Sequence, residues 1–316
     1  MDKLQEKILD VTHNQYYYLM NLQNVIGVGL GYKRINNFDT VEPCIHVLVE
    51  NKIDSKYIPF NNLIPKNYMG IKTDIIEVGN MDIKNVDMKI SNKKIRPLQG
   101  GYGMSVLPKG FNPKSGTITC VVTRVSKGKT QYFVLGNNHV LAGVNKFQIG
   151  STVIQPAIED GGTLSDKVGT LKYYVPIKEY KPYITFSNEV DCAIVEINKT
   201  LASDIIRFIG KVKGVGKPTL GLSVEKIGKM TGLTKGKIIT IGVTIKIKFL
   251  DSRSAVFKNQ FIADTYSVRG DSGAPFLNKD EEIVGLLLSG NEEKKTSTFN
   301  DINLVLKALK VNVYVL

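Results

Sequence analysis

A chain of 316 residues with 42% hydrophobic residues and 29 glycines can bury one large core and a second, smaller one, and its lack of low-complexity tracts argues against disorder. The formal charge of +13 raises nucleic acid as a partner. Yet only 6 of the 42 cationic residues are arginine, whose planar fork suits phosphate and base edges, and the lysines are scattered. With no recognition-helix pattern, zinc-finger spacing or aromatic RNA-binding signature, that partner is set aside for a lysine-rich, solvated surface.

No stretch approaches about 20 uninterrupted apolar residues, so neither a membrane span nor a membrane partner is expected. The opening MDKLQEKILDVTHNQYYYLM is charged throughout, unlike a signal peptide. Leu4, Ile8, Val11, Tyr18 and Leu22 fall near helical spacing and predict one amphipathic helix over 2–22. VIGVGLGYK (25–33) and CIHVLVEN (44–51), on either side of the polar INNFDT, predict a hairpin, and IPKNYMGIKTDIIEVG (64–79) a further extended segment. Residues 1–95 therefore read as a small α+β domain, with SNKKIRPLQGGYG (91–103) as the linker or edge.

Past residue 100 the texture becomes short β-branched runs punctuated by glycine. GTITCVVTRV (116–125), QYFVLGNN (131–138), DCAIVEI (191–197), GKIITIGVTIKIKF (236–249) and EIVGLLLSG (282–290) predict a mainly β domain over 100–316, large enough for two six-stranded barrels. DINLVLKALK (301–310) has helical period, with Asn300 as its expected N-cap, and VNVYVL closes as a strand. Cys44, Cys120 and Cys192 are odd in number and sit in apolar runs. They read as buried free thiols of a reducing compartment, so a cytoplasmic location is expected.

Three short motifs carry chemistry. In Gly270-Asp271-Ser272-Gly273-Ala274-Pro275 the glycines permit a tight turn in which the amides of Gly270 and Ser272 converge on one oxygen, an oxyanion hole beside a serine nucleophile. Asp271, turned inward, would pin that turn through a buried ion pair or hydrogen bonds. In Asn138-His139-Val140-Leu141 an imidazole stands where a strand turns, placed for general-base work. His13, in the predicted helix, and His46, in a strand, read as structural. Asp191 leads an apolar strand, where its burial needs a partner such as an imidazole N–H. Each alone also reads as an ordinary turn or strand residue. Together they run His, Asp, Ser with spacings of 52 and 81, an order unlike those of subtilisin and the α/β-hydrolases.

NNHVL, VDCAIVEI and GDSGAP resemble the trypsin-like serine peptidases of clan PA, over residues 100–316. NVIGVGLGYK, IPKNYMGIKTDIIEVG, VIQPAIEDGG (153–162) and GKMTGLTKGKI (228–238) resemble, more narrowly, bacterial peptidases related to the plant NARROW LEAF 1 group, in which a small domain precedes the protease. The resemblance implies a double β-barrel and endopeptidase activity on protein or peptide substrates. Ser272 would be the nucleophile, His139 the acid/base and Asp191 the orienting carboxylate, and a homo-oligomer is compatible with it. It assigns Leu288, Ser289 and Gly290 to the strand that meets the substrate, and Tyr266 to the pocket floor. Aspartate is absent from that floor, so cleavage after Lys or Arg is not expected and a small or apolar residue is. The zymogen device of a new N-terminus paired with the aspartate before the serine has no visible counterpart, so Asp271 needs another partner or the activity is regulated. HExxH, CxxC and GxxxxGKS/T are all absent, so no metal and no cofactor is expected. Two readings compete with a peptidase: a protease-like fold kept for binding, and a nucleic-acid binder whose salt-dependent affinity survives loss of Ser272.

Overall fold

The computed structural model describes residues 1–35, 38–79, 81, 93–181 and 187–316. Its first helix, α1 (Lys3–Asn14), starts at Asp2, whose side chain accepts from the Gln5 amide while the Gln5 side chain accepts from the Asp2 amide. Ile8 and Val11 face inward, as the spacing predicts. The single helix over 2–22 is nevertheless two: the chain leaves helical geometry at Gln15 (φ −128°) and re-enters for one turn, α2 (Tyr17–Met20).

The predicted hairpin is present and longer than expected, as β1 (Val25–Ile35) and β2 (Phe38–Val49). β3 (Asn67–Tyr68) and β4 (Ile71–Glu77) follow, and β4 runs parallel to β2. Helix α1 and α2 lay Ile8, Val11 and Leu19 on Val28, Leu30, Ile45 and Val47 of this small sheet.

The first barrel holds β5 (Gly103–Leu107), β6 (Lys114–Thr117), β7 (Val121–Ser126), β8 (Lys129–Gly136), β9 (Thr152–Ile154), β10 (Lys167–Tyr174) and β11 (Ala193–Ile197). A one-turn helix, α3 (Asn138–Leu141), follows β8. The run 116–125 is broken between β6 and β7. Residues 118–120 cross there and close the barrel, with Ile118 bonded to Tyr102 O and Thr119 to Leu135 O. Three short strands, β12 (Ile205–Ile206), β13 (Gly210–Lys211) and β14 (Gly214–Val215), lead to the second barrel.

That barrel contains β15 (Ser223–Gly228), β16 (Gly232–Lys248), β17 (Ser254–Ala263), β18 (Pro275–Asn278), β19 (Glu282–Asn291) and β20 (Thr296–Asp301). The order β15-β18-β19-β20-β17-β16 is closed by β15 pairing with β16, giving six strands around the rings of Phe261, Phe276 and Phe299, the last two 3.9 Å apart by centroid. Helix α4 (Ile302–Leu309) and β21 (Asn312–Val313), which pairs with β7, finish the chain. The N-cap of α4 is Asp301, whose side chain accepts from the Asn303 amide, and not Asn300, which is buried in β20. β1 pairs on one edge with β2 and on the other with β16, so the N-terminal strands extend the sheet of the second barrel. All three cysteines are free and buried. No helix among the described residues is long and apolar enough to cross a membrane.

Candidate active site

His139 sits in α3, just past the end of β8, and two asparagines hold that bend. Asn137 donates to Asp191 O at 2.9 Å, and Asn138 donates to Val175 O at 2.7 Å and to Asn145 Oδ1 at 2.8 Å. Asp191 is fully buried. One of its oxygens accepts from the His139 amide at 3.0 Å and the other lies 2.5 Å from His139 Nδ1. An ionised carboxylate only accepts, so Nδ1 carries the proton and Nε2 is left as the basic nitrogen. Nε2 is buried and makes no hydrogen bond within the protein, to Ser272 or to any other described residue. The second barrel reaches across to the aspartate: Asn300 Oδ1 accepts from the Asp191 amide at 2.7 Å, and Gln260 donates to Glu189 O at 2.8 Å.

Ser272 lies in a turn where the Asp271 amide bonds Val268 O and the Ala274 amide bonds Asp271 O. β6 grips one side of it, with the Thr117 amide on Ser272 O at 2.8 Å and the Thr117 hydroxyl on Gly270 O at 2.9 Å. β19 grips the other, through the Gly273 amide on Leu287 O. Gly270 (φ +100°) and Gly273 (φ +90°) occupy backbone that side chains disfavour, and a Cβ on Gly273 would strike Thr117 O. Among the described residues the amides of Gly270 and Ser272 have no acceptor, which leaves both donors open for an oxyanion. The two halves meet at Gly116, where a Cβ would stand 2.9 Å from both Ser272 O and a methyl carbon of Val140.

Asp271 does find a partner, and it is Lys226 of β15. Their charged atoms are 3.1 Å apart, and both side chains are fully buried. Thr231 donates its hydroxyl to the same carboxylate at 2.6 Å, and the Met230 amide donates at 2.8 Å. Burial lowers the Lys226 pKa from the ordinary lysine value, while the Asp271 charge works against that shift. The GKMTG segment therefore clamps the oxyanion turn. Its Lys229 stands beside that turn, its amide on the Thr117 hydroxyl and its ammonium between Glu159 (3.3 Å) and Asp160 (3.5 Å) of the IEDGG segment. Lys226, Lys229, Thr117 and Asn300 were missed from the sequence. The inward place of Lys226 in the alternating SVEKIG was the one legible signal.

Tyr266 is partly exposed, and burial with the nearby charges of Glu292 and Asp271 raises its pKa. Leu288 is fully buried in a cluster with Val144, Phe249 and Phe257. Ser289 is also buried, and Gly290 lies so close to Ser267 that no Cβ fits. Ser267, Ser297 and Thr265 form a chain there, 2.6 Å between the two hydroxyls and 2.7 Å on to Thr265 O. His13 and His46 lie away from this site. Cys44, His46 and Asp74 come within metal-cluster range of one another. They do not fit a metal centre: the His46 ring nitrogens bond Thr240 Oγ1 and Tyr32 O, Asp74 accepts from the Arg34 amide, and burial pushes the Cys44 thiol up to about 12.

A family model described as Trypsin matches residues 120–309, more than half of the chain and a span that includes His139, Asp191 and Ser272. Among solved structures, the chain is similar to protease A of Thermobifida fusca (17% identity, TM-score 0.47, covering 69% of this chain and 98% of that one). It is also similar to a Cellulomonas bogoriensis chymotrypsin (17%, 0.46, 69% and 98%) and a Nocardiopsis protease (14%, 0.48, 68% and 97%). Curated sequences that match are large ribosomal subunit proteins uL1: that of Mycoplasma mobile is 29% identical over 112 residues, 34% of this chain and 47% of that protein. The one from Metamycoplasma arthritidis is 29% identical over 134 residues, 40% and 57%. The chain thus spans about half the length of the curated relatives it matches.

Proposed function

The chain belongs to the trypsin family, and from that premise we propose that it is a serine endopeptidase with Ser272 as nucleophile, His139 as base and acid, and Asp191 as the orienting carboxylate. One observation carries this reading: a buried carboxylate commits both oxygens to His139, ring and amide, and leaves Nε2 unengaged, while Val140, next to His139, and the Ser272 carbonyl close on the same Gly116. As Ser272 Oγ attacks the scissile carbonyl, its proton passes to His139 Nε2, and the amides of Gly270 and Ser272 receive the oxyanion. The imidazolium then protonates the departing amine as the C–N bond breaks. Water, deprotonated by the same nitrogen, releases the acid from the acyl-enzyme.

Further parts of the reading rest on narrower support. The crowded, hydroxyl-lined space at Ser267, Ser297 and Gly290 favours a small residue before the scissile bond. Kinship with the NARROW LEAF 1-related peptidases is supported by the motifs quoted above and by an apolar cluster whose fully buried members all lie in the N-terminal segment. That cluster also supports a division into 1–95 and 100–316. A cytoplasmic location is supported by the free, buried thiols, of which Cys120 is pushed up to about 12 by burial.

The test is labelling of the purified chain by a fluorophosphonate. Wild type should label, and Ser272→Ala and His139→Ala should not. A folded wild type that stays unlabelled would favour a protease-like fold used for binding.

A further inference from the structure

Just beyond β4, the described residues Val78, Gly79 and Met81 stay against the second barrel. Glu77 pairs with Lys294 at 2.6 Å, and Thr296 donates its hydroxyl to Val78 O at 2.9 Å. Gly79 (φ +71°) packs on the Asn291 side chain so closely that a Cβ there would overlap it. The Thr298 hydroxyl lies 3.9 Å from the Met81 sulfur. Val78 and Met81 are both buried, in the cluster that holds Leu288, Val144, Ile177 and Phe249. The Phe249 ring stands 6.0 Å by centroid from the His139 imidazole.

The nucleophile turn lies between β6 and β19. β19 continues past Leu287 as Leu288, Ser289 and Gly290, paired with β20 on one edge. On the other edge, among the described residues, no strand pairs beyond Leu286. That free backbone edge beside the nucleophile is where an extended peptide adds as a strand, with alternate side chains directed to the walls. Glu77 meets Lys294 in the turn between β19 and β20, and Val78, Gly79 and Met81 meet Thr296, Asn291 and Thr298 of those strands.

We propose that Val78, Gly79 and Met81 back the acyl-side wall of the substrate cleft, and that Met81, buried behind Leu288, limits the substrate side chain that this wall accepts. These residues of the N-terminal segment are then part of the specificity apparatus. A thioether is a suitable lining, being apolar and adaptable in shape. This inference rests on the peptidase reading of the same site.

The experiment uses the full chain and peptide libraries varied singly at four positions on the acyl side and two on the leaving side. Met81→Ala should widen the wall and raise the relative kcat/KM for bulky apolar residues at one or two acyl-side positions by about tenfold or more, within the range that a few methylenes in a pocket supply. The leaving-side profile should not change, and the volume-conserving Met81→Leu should restore the wild-type preference. The same peptides are titrated against Ser272→Ala and Ser272→Ala/Met81→Ala by fluorescence anisotropy, so that the wall is read without turnover. An acyl-side profile untouched by Met81→Ala, or a uniform loss across all positions, overturns the inference. If nothing is cleaved by wild type but the binding preference shifts, the wall stands and the peptidase reading falls.

Discussion

The first barrel fixes His139 and Asp191 with hydrogen bonds drawn mostly from its own loops, whereas the second fixes the Ser272 turn with a buried ion pair from a neighbouring hairpin. On the base side the donors are neutral amides and asparagines, and Asp191 has partners at each of its polar atoms. On the nucleophile side the key contact joins two full charges with no exposure to water. A pair of this kind is a poor source of net stability, because desolvation offsets much of its attraction, but removing one member strands the other. The base half is therefore built to direct a proton, and the nucleophile half to hold a backbone shape.

The comparison breaks most severely at Asp191. Asp191→Asn can no longer impose the proton on Nδ1, and kcat should fall by about 10⁴-fold with little change in fold. Circular dichroism and peptide turnover would check both parts, and a loss under tenfold would mean that Asp191 does not orient the base.

Lys226→Met tests the other half. It should lower kcat by about 10²–10³-fold through the oxyanion turn, while KM changes less. It should also cost about 3–5 kcal/mol of stability, because Asp271 is left buried without its counter-charge. Urea denaturation and acylation rates would measure the two effects. The same residue gives the nucleophile half a pH signature. Lys226 releases its proton below the ordinary lysine range, so activity should fall on the alkaline side before exposed lysines titrate. Between its lowered pKa and the ordinary value near 10.4, the unfolded chain binds more protons, so this group's share of stability rises with pH as activity falls. An alkaline limb that persists unchanged in Lys226→Met would assign the titration elsewhere.

The smallest effect belongs to Thr117→Val, which deletes the hydroxyl between the Lys229 amide and Gly270 O. It should cost about 1–3 kcal/mol and slow acylation modestly. Its size compares the β6 side of the clamp with the ion-pair side.

Much of this was legible in the residues. The apolar runs announced β1, β2, β8, β11 and β19, and α1 lies where the periodicity placed it. The expectation that Asp271 pins its turn from within was met, but its partner was not named, because a lysine 45 residues away becomes a partner only when β15 lies beside the turn. Asn300 showed the opposite error. Its residue type suits a helix cap, yet it lies in β20 with its carboxamide on the Asp191 amide, while Asp301 caps α4.

By itself the sequence determined what depends on neighbours along the chain: strand and helix periods, the glycines that allow positive φ in the GDSG turn, and the order of histidine, aspartate and serine. The tertiary structure alone decided which distant groups meet: Lys226 with Asp271, Asn300 with the Asp191 amide, β1 with β16, and Met81 with the strands beside the nucleophile. Local conformation follows from backbone sterics within a few residues. A buried charge or an open strand edge takes whichever partner the packing of the whole chain brings to it, and that choice leaves no local pattern to read.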